Sequence, residues 1–208
     1  MKNFYVSVAG VMGSGKTTMC NFLAKELGFN LFEEKVNENP YLASYYEEPK
    51  KWAFKSQLFY LQEKTSQLEE VKKLLAAKSV IQDTPIYQDG FSYAQAQKIL
   101  GYMNDDEYQT YLKHLHAALP TLPAPDMIVQ LDAPAEVLEA RIRERARPYE
   151  KAVDKTYLEL LSKLQNEWIG KHPHLKIIRV RTDDKENDLL LNEKYRQEFI
   201  RKIKTALV

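Results

Sequence analysis

Two hydrophobic rhythms alternate along the chain. Short apolar or β-branched runs at residues 4–9, 31–32, 79–82, 127–131 and 176–180 predict strands, most of them covered on both faces. Between them, apolar residues recur at helical spacing. The clearest cases are residues 17–27, with Met19, Phe22, Leu23 and Leu27, and residues 52–77, with Phe54, Leu58, Leu61, Leu68 and Leu75. Further helices are predicted at 87–100, 105–119, from Pro134 onward, 156–169 and 192–207. Gly28 is placed to close the first helix, and Asn39-Pro40 marks a turn. Gly101 separates two helices, and Pro120, Pro123 and Pro125 stop the second. Strands and helices alternate without a repeat, a low-complexity tract or a dividing linker. That order predicts one α/β domain with a central parallel sheet flanked by helices.

Composition narrows the class. The chain has 208 residues, 44% of them hydrophobic, enough for a core and too many for a disordered chain. Lysine and arginine number 30 against 29 acidic residues, a formal net charge of +1. This balance argues against a protein whose main task is coating nucleic acid, while leaving room for a local basic site. The single cysteine excludes an internal disulfide and a zinc-thiolate cluster, and suits a reducing compartment. No apolar run approaches the roughly 18–20 residues needed to span a bilayer, and the N-terminus lacks the order of a signal peptide. A cytoplasmic enzyme without membrane or nucleic-acid partners is expected.

The sharpest motif is Gly10-Val11-Met12-Gly13-Ser14-Gly15-Lys16-Thr17, which fits G-x-x-x-x-G-K-[ST] and lies between a predicted strand and a predicted helix. Glycines there let backbone N–H groups converge on phosphate oxygens, and the helix N-terminus adds its partial positive charge. Gly10, Met12, Gly13, Ser14, Gly15, Lys16, Thr17 and Thr18 are therefore the expected nucleotide contacts. Lys16 would reach the terminal phosphates and the Thr17 hydroxyl would ligate Mg²⁺. A chance glycine-rich turn is the alternative, and the strand–helix context argues against it.

A phosphate loop does not by itself separate kinases from GTPases or motors. The chain carries no Asn-Lys-x-Asp guanine signature and is too short for a large mechanical apparatus. Glu33-Glu34 ends the second predicted strand, at the sheet edge where ligands of open α/β sheets bind. A carboxylate there can accept the proton of an attacking hydroxyl, which points to a small-molecule kinase.

Several further motifs, in order over residues 6 to about 169, make the chain resemble the deoxynucleoside kinase family. They are Glu34-Lys35-Val36, where the family has Glu-Pro-Val; Tyr46-Glu47-Glu48-Pro49-Lys50-Lys51-Trp52-Ala53-Phe54; Asp83-Thr84-Pro85-Ile86-Tyr87-Gln88-Asp89; and the arginine-rich residues 141–147 followed by Glu150. The resemblance implies a P-loop kinase fold with an arginine-rich lid at about 141–150, ATP as donor, Mg²⁺ and a deoxynucleoside acceptor. It implies Glu34 as general base, Tyr46 and Glu150 on the sugar 3′-hydroxyl, and Gln57 with Asp89 on the base. Lys64 stands where relatives often carry an arginine near the base. Asp83, beside the substrate, would help Thr17 hold Mg²⁺. Arg141, Arg145 and Arg147 would contact phosphate, with Arg141 and Arg145 joining Lys16 and Glu34 in catalysis. Thr84 departs from the family, which has an arginine there.

The residues alone leave alternatives. Gln57, Leu61 and Lys64 share one helical side, which suits either a base pocket or a solvated face. The arginine run suits a lid or a solvated helix end, with Arg143 at the surface either way. Cys20 and Trp168 read as core. His114 and His116 do not share a face, and His172 and His174 flank Pro173, so no zinc constellation is expected. The 87–119 helices are expected to form a homodimer interface, although ordinary core packing fits them equally. Asn39-Pro40-Tyr41-Leu42 resembles the purine kinases of the family, which favours deoxyadenosine. The rivals are a nucleoside-monophosphate kinase and, because of Thr84, a weakly catalytic nucleotide-binding regulator.

Overall fold

The structure is a computed structural model that describes residues 2–34, 38–184, 189 and 192–207, with the backbone alone at 151 and 152. Lys35 and Val36 of the Glu34-Lys35-Val36 motif lie outside the described residues. Five strands, β1 (Tyr5–Gly10), β2 (Asn30–Phe32), β3 (Val80–Asp83), β4 (Met127–Asp132) and β5 (Ile177–Arg181), form one parallel sheet in the order β2-β3-β1-β4-β5. The central strand β1 is buried at every position, as its unbroken apolar run requires. At the edge, β5 buries Ile178 and Val180 and exposes Arg179 and Arg181.

Helices cover both faces. Val6 and Val8 pack with Met19, Cys20 and Leu23 of α1 (Lys16–Leu27) and with Phe199, Ile200 and Ile203 of α9 (Glu193–Leu207). On the opposite face, Tyr5 and Val80 meet Ala53, Leu61, Leu68 and Val71 of α3 (Pro49–Leu74) and Tyr111 and Leu115 of α6 (Asp105–Ala118). Alternate residues of the central strands thus feed two cores, which follows from their period of two. A third cluster joins Val11 to α7 (Ala135–Arg145) and α8 (Lys155–Gly170). Among the described residues, no helix is long and apolar enough to cross a membrane.

Three differences from the expected elements bear on the site. A short helix α2 (Leu42–Glu47) precedes α3, which starts at Pro49 rather than at residue 52 because proline is tolerated in a first turn. The helix expected over 87–100 is three pieces: α4 (Ile86–Gln88), a π-helical turn (Asp89–Ala94) and α5 (Gln95–Ile99). Gly90 permits the close approach there, since a Cβ on it would lie 2.4 Å from Leu115 Cδ2. Finally, Trp168 is half-buried in a stack with Tyr87, Phe91 and His172 rather than in a core.

Candidate active site

The carboxyl ends of β1, β2 and β3 open into a cavity of about 700 Å³, a size usual for small-ligand sites. The phosphate loop forms one wall. Gly13 and Gly15 adopt φ 83° and 91°, in the left-handed region that favours glycine. A Cβ on Gly13 would also press to 2.8 Å from the Leu138 carbonyl of α7. Met12, Gly13, Gly15, Lys16, Thr17 and Thr18 line the cavity. Gly10 and Ser14 do not: Gly10 is buried as the last residue of β1, and the Ser14 amide turns inward to the Val11 carbonyl at 3.0 Å.

A compact charge cluster adjoins the loop at Thr17. Thr17 Oγ1 donates to Asp83 Oδ2 at 2.8 Å, bringing together the two oxygen-bearing side chains assigned to Mg²⁺. Among the described residues no group of three or more His, Cys, Asp and Glu could hold a metal. Hydroxyl and carboxylate oxygens with room for water and phosphate nonetheless suit Mg²⁺, which keeps part of its hydration shell. Glu34 sits at the end of β2 with its side chain 21% exposed. Its Oε2 is 3.4 Å from Thr84 Oγ1, and its Oε1 is 3.7 Å from Lys64 Nζ.

Lys64, expected near the base, lies behind the cavity wall rather than on it, and it acts on Asp89, the residue assigned to the base. Lys64 is buried, 5% exposed, and donates to the Asp83 carbonyl at 3.0 Å while facing Glu34. A buried ammonium must be neutralised and hydrogen-bonded; the Asp83 carbonyl at the end of β3 accepts the hydrogen bond and Glu34, past β2, supplies the opposite charge. Gln57 and Lys64 are both buried on α3, so their shared side is not a solvated face. Gln57 does line the cavity. Thr84 is 1% exposed and has φ 62°, a strained conformation for a β-branched residue. Its hydroxyl lies 3.1 Å from Asp83 Oδ1 as well as near Glu34, so one proton can serve either carboxylate.

Asp89, on the π-helical turn, lines the cavity and is buried, and its Oδ2 has no hydrogen-bond partner in the structure. Burial pushes its carboxyl up to about 8; Glu34 and Asp83 push the same way, and Lys64 and Lys16 oppose them. Between the ordinary aspartate value near 4 and about 8, the folded protein keeps a proton that the unfolded chain has lost. Stability from this group is therefore fully present below pH ~4 and falls as pH rises through that window. The Asp89→Asn variant is expected to show a flatter decline of Tm between pH 5 and pH 8 than the parent. Parallel declines in the two proteins would contradict the placement of Asp89 as a neutral buried acid.

Arg141, Arg145, Arg147 and Glu150, in the segment expected to form a lid, also line the cavity. Arg145 Nε and Nη2 meet both Glu150 oxygens at 2.7 and 2.5 Å, a bidentate pair. Arg147 Nη1 is 3.5 Å from the same carboxylate. Arg141 is tied differently, donating to Thr182 Oγ1 at 2.9 Å, to the Thr182 carbonyl at 2.5 Å and to the Gly13 carbonyl at 3.4 Å. It joins the phosphate loop to the segment after β5. Arg143 is exposed and pairs with Glu139. The Tyr46 ring lies tilted against Tyr149, with centroids 5.5 Å apart, near Glu150, and burial raises its phenol well above the ordinary range, keeping the hydroxyl as a donor. Sequence reasoning passed over Tyr45, Tyr60, Tyr93, Tyr149 and Tyr157, which also line the cavity. Tyr60 stands one helical step from Gln57 and could have been found by spacing. Tyr93 could not, because the π-helical turn alters its face.

Comparison with known proteins agrees with this geometry. The chain is 30% identical over 208 residues to the deoxyadenosine/deoxycytidine kinase of Bacillus subtilis (strain 168), covering 99% of this chain and 94% of that one. It is also 30% identical over 210 residues to the deoxyguanosine kinase of that organism, covering 98% of each. The structure of deoxyadenosine kinase from M. mycoides with dCMP and dCDP bound superposes with a TM-score of 0.82 at 26% identity, over 97% of this chain and 99% of that one. The family model for deoxynucleoside kinase matches residues 6–208. A phosphate loop, a strand-end carboxylate and an arginine lid around one cavity, together with these likenesses, show that the chain belongs to the deoxynucleoside kinase family of ATP-dependent phosphotransferases.

Proposed function

We propose that the chain moves the γ-phosphoryl of ATP onto the 5′-hydroxyl of a deoxynucleoside, with a purine, deoxyadenosine first, as the favoured acceptor. One observation carries the reading: Glu34 opens into the same cavity as Lys16 and the lid arginines, so a proton acceptor and phosphate-binding cations face one space. Glu34 takes the proton of the attacking hydroxyl, which raises the nucleophilicity of the oxygen as the bond to phosphorus forms. Lys16 and the loop amides hold the donor phosphates, and Arg141, Arg145 and Arg147 offset the charge that builds during transfer. Thr17 and Asp83 would hold Mg²⁺, which supplies charge neutralisation to the phosphates when bound. Tyr46 and Glu150 hold the sugar; Gln57 and Asp89 hold the base.

The purine preference rests on the resemblance of residues 39–42 to the purine kinases of the family, and of these residues Leu42 lines the cavity. Asn39 Nδ2 donates to Ser56 Oγ at 3.0 Å, and Asn39 Oδ1 accepts from the Tyr41 amide at 2.9 Å, which sets Leu42 against the cavity. Relatives named for deoxyadenosine, deoxyguanosine and deoxycytidine all resemble the chain, so base choice belongs to a measurement. A cytoplasmic homodimer, assembled through the 87–119 region, completes the reading. Labelled ATP offered with the four deoxynucleosides and their monophosphates tests it. Deoxyadenosine is expected to give the highest kcat/KM. Phosphorylation of monophosphates but not nucleosides would overturn the acceptor assignment.

A further inference from the structure

We propose that Gln88 is a positioning residue for the donor nucleotide, acting through the first glycine of the phosphate loop. The proposal rests on the reading of ATP as donor. Strand β3 accompanies β1 only as far as the Val8–Asp83 pair, where the Thr84 amide donates to the Val8 carbonyl at 3.0 Å. Beyond that point β3 turns away, while β1 continues beside β4 to the Gly10–Leu131 pair. Gly10, two residues past Val8, presents its N–H and C=O to the side that β3 has left, because parallel-strand groups alternate with a period of two. Buried backbone groups need partners. Gln88 supplies both: its Oε1 accepts from the Gly10 N–H at 2.9 Å, and its Nε2 donates to the Gly10 carbonyl at 2.8 Å. A primary carboxamide carries the donor and acceptor of a peptide group, so one side chain replaces the next rung of the sheet.

The orientation of that amide is held from behind. Gln165 Nε2 of α8 lies 3.1 Å from Gln88 Oε1 and 2.8 Å from Gln130 Oε1 of β4, and all three glutamines are buried. Gly10 is where strand becomes loop, with φ 156°, and a Cβ on it would lie 2.4 Å from Ser14 Oγ. Its fixing therefore sets the direction in which residues 11–17 leave the sheet. A second tether comes from the same segment, where the Tyr93 hydroxyl accepts from the Met12 amide at 3.1 Å. The phosphate loop thus takes its position from the segment that carries Asp89 into the acceptor side of the cavity.

Replacement of Gln88 by methionine keeps the length and removes both amide functions. Calorimetric titration of ATP, and separately of the best deoxynucleoside from the acceptor panel, tests the assignment on protein shown to be folded by its melting transition. Gln88→Met is expected to weaken ATP binding about tenfold and to leave deoxynucleoside binding within about twofold, the loss of about one buried interaction falling on one ligand. Unchanged ATP binding, or equal losses for both ligands, overturns the proposal. If Gln88→Met does not fold, Gln165→Met decides: it frees the amide without deleting it, and about a threefold loss confined to ATP is expected, with no loss overturning the proposal. Absence of ATP binding by the wild-type protein removes the donor reading and this proposal together; wild-type binding that survives Gln88→Met removes this proposal alone.

Discussion

Replacing Glu34 by glutamine is expected to lower kcat by about 10²–10⁴ while the KM for ATP stays within about twofold. The amide has the carboxylate's shape and can still accept from Thr84, whose Oγ1 lies 3.4 Å from Glu34 Oε2. It cannot take a proton from an attacking hydroxyl. The lost interaction belongs to the transition state and not to donor binding, so the effect falls on turnover. Steady-state kinetics with both substrates varied would check the split. A turnover reduced less than threefold would mean that another group, or solvent, accepts the proton.

The second large effect is expected at Lys64. Its ammonium faces Glu34 at 3.7 Å and the Asp83 carbonyl at 3.0 Å, and it acts on buried Asp89 as well. Deletion of one partner from a buried charge cluster leaves the others uncompensated, at a cost of about 3–5 kcal/mol for a fully buried pair and less here because Glu34 is partly exposed. Lys64→Met is therefore expected to lower Tm and to reduce kcat by about 10²–10³, the scale of losing one preorganised electrostatic group. A cation at residue 84 would enter the same cluster from the end of β3, since the Thr84 hydroxyl already reaches both Glu34 and Asp83. Thr84→Arg in the Lys64→Met background is expected to recover about tenfold of the lost turnover, and to gain little in the wild-type chain. Equal gains in both backgrounds would show that the two positions act independently, and that Lys64 does not fill the place of the arginine the family carries.

The phosphate loop, its flanking strand and helix, and the run Arg141–Arg145–Arg147 were legible because each is local: fixed spacing, glycines where φ must be positive, and guanidinium groups close in sequence. Asp83 and Glu34 were legible as strand-end acids, because a parallel sheet delivers such residues to one edge. The five strands, their alternation with helices and the burial of Cys20 also followed from periodicity.

The partners of Lys64 were not legible, for a physical reason. Helical spacing assigns a side of α3 but not the depth to which a four-carbon stem reaches, and only packing against β3 sends its ammonium to Asp83 and Glu34. The π-helical turn at Asp89–Ala94 was likewise invisible, since its apolar pattern reads as plain helix until Leu115 is found against Gly90. The pairing of Gln88 with Gly10 joins residues 78 apart in sequence, and that distance carries no periodic signal. Pattern and motif thus settled the fold class and the places of the phosphate loop and of the carboxylate past β2, because those depend on neighbours within a few residues. Which cation faces that carboxylate, and what anchors the loop to the sheet, were decided by long-range packing, where burial forces each polar group onto whichever partner the folded chain brings within reach.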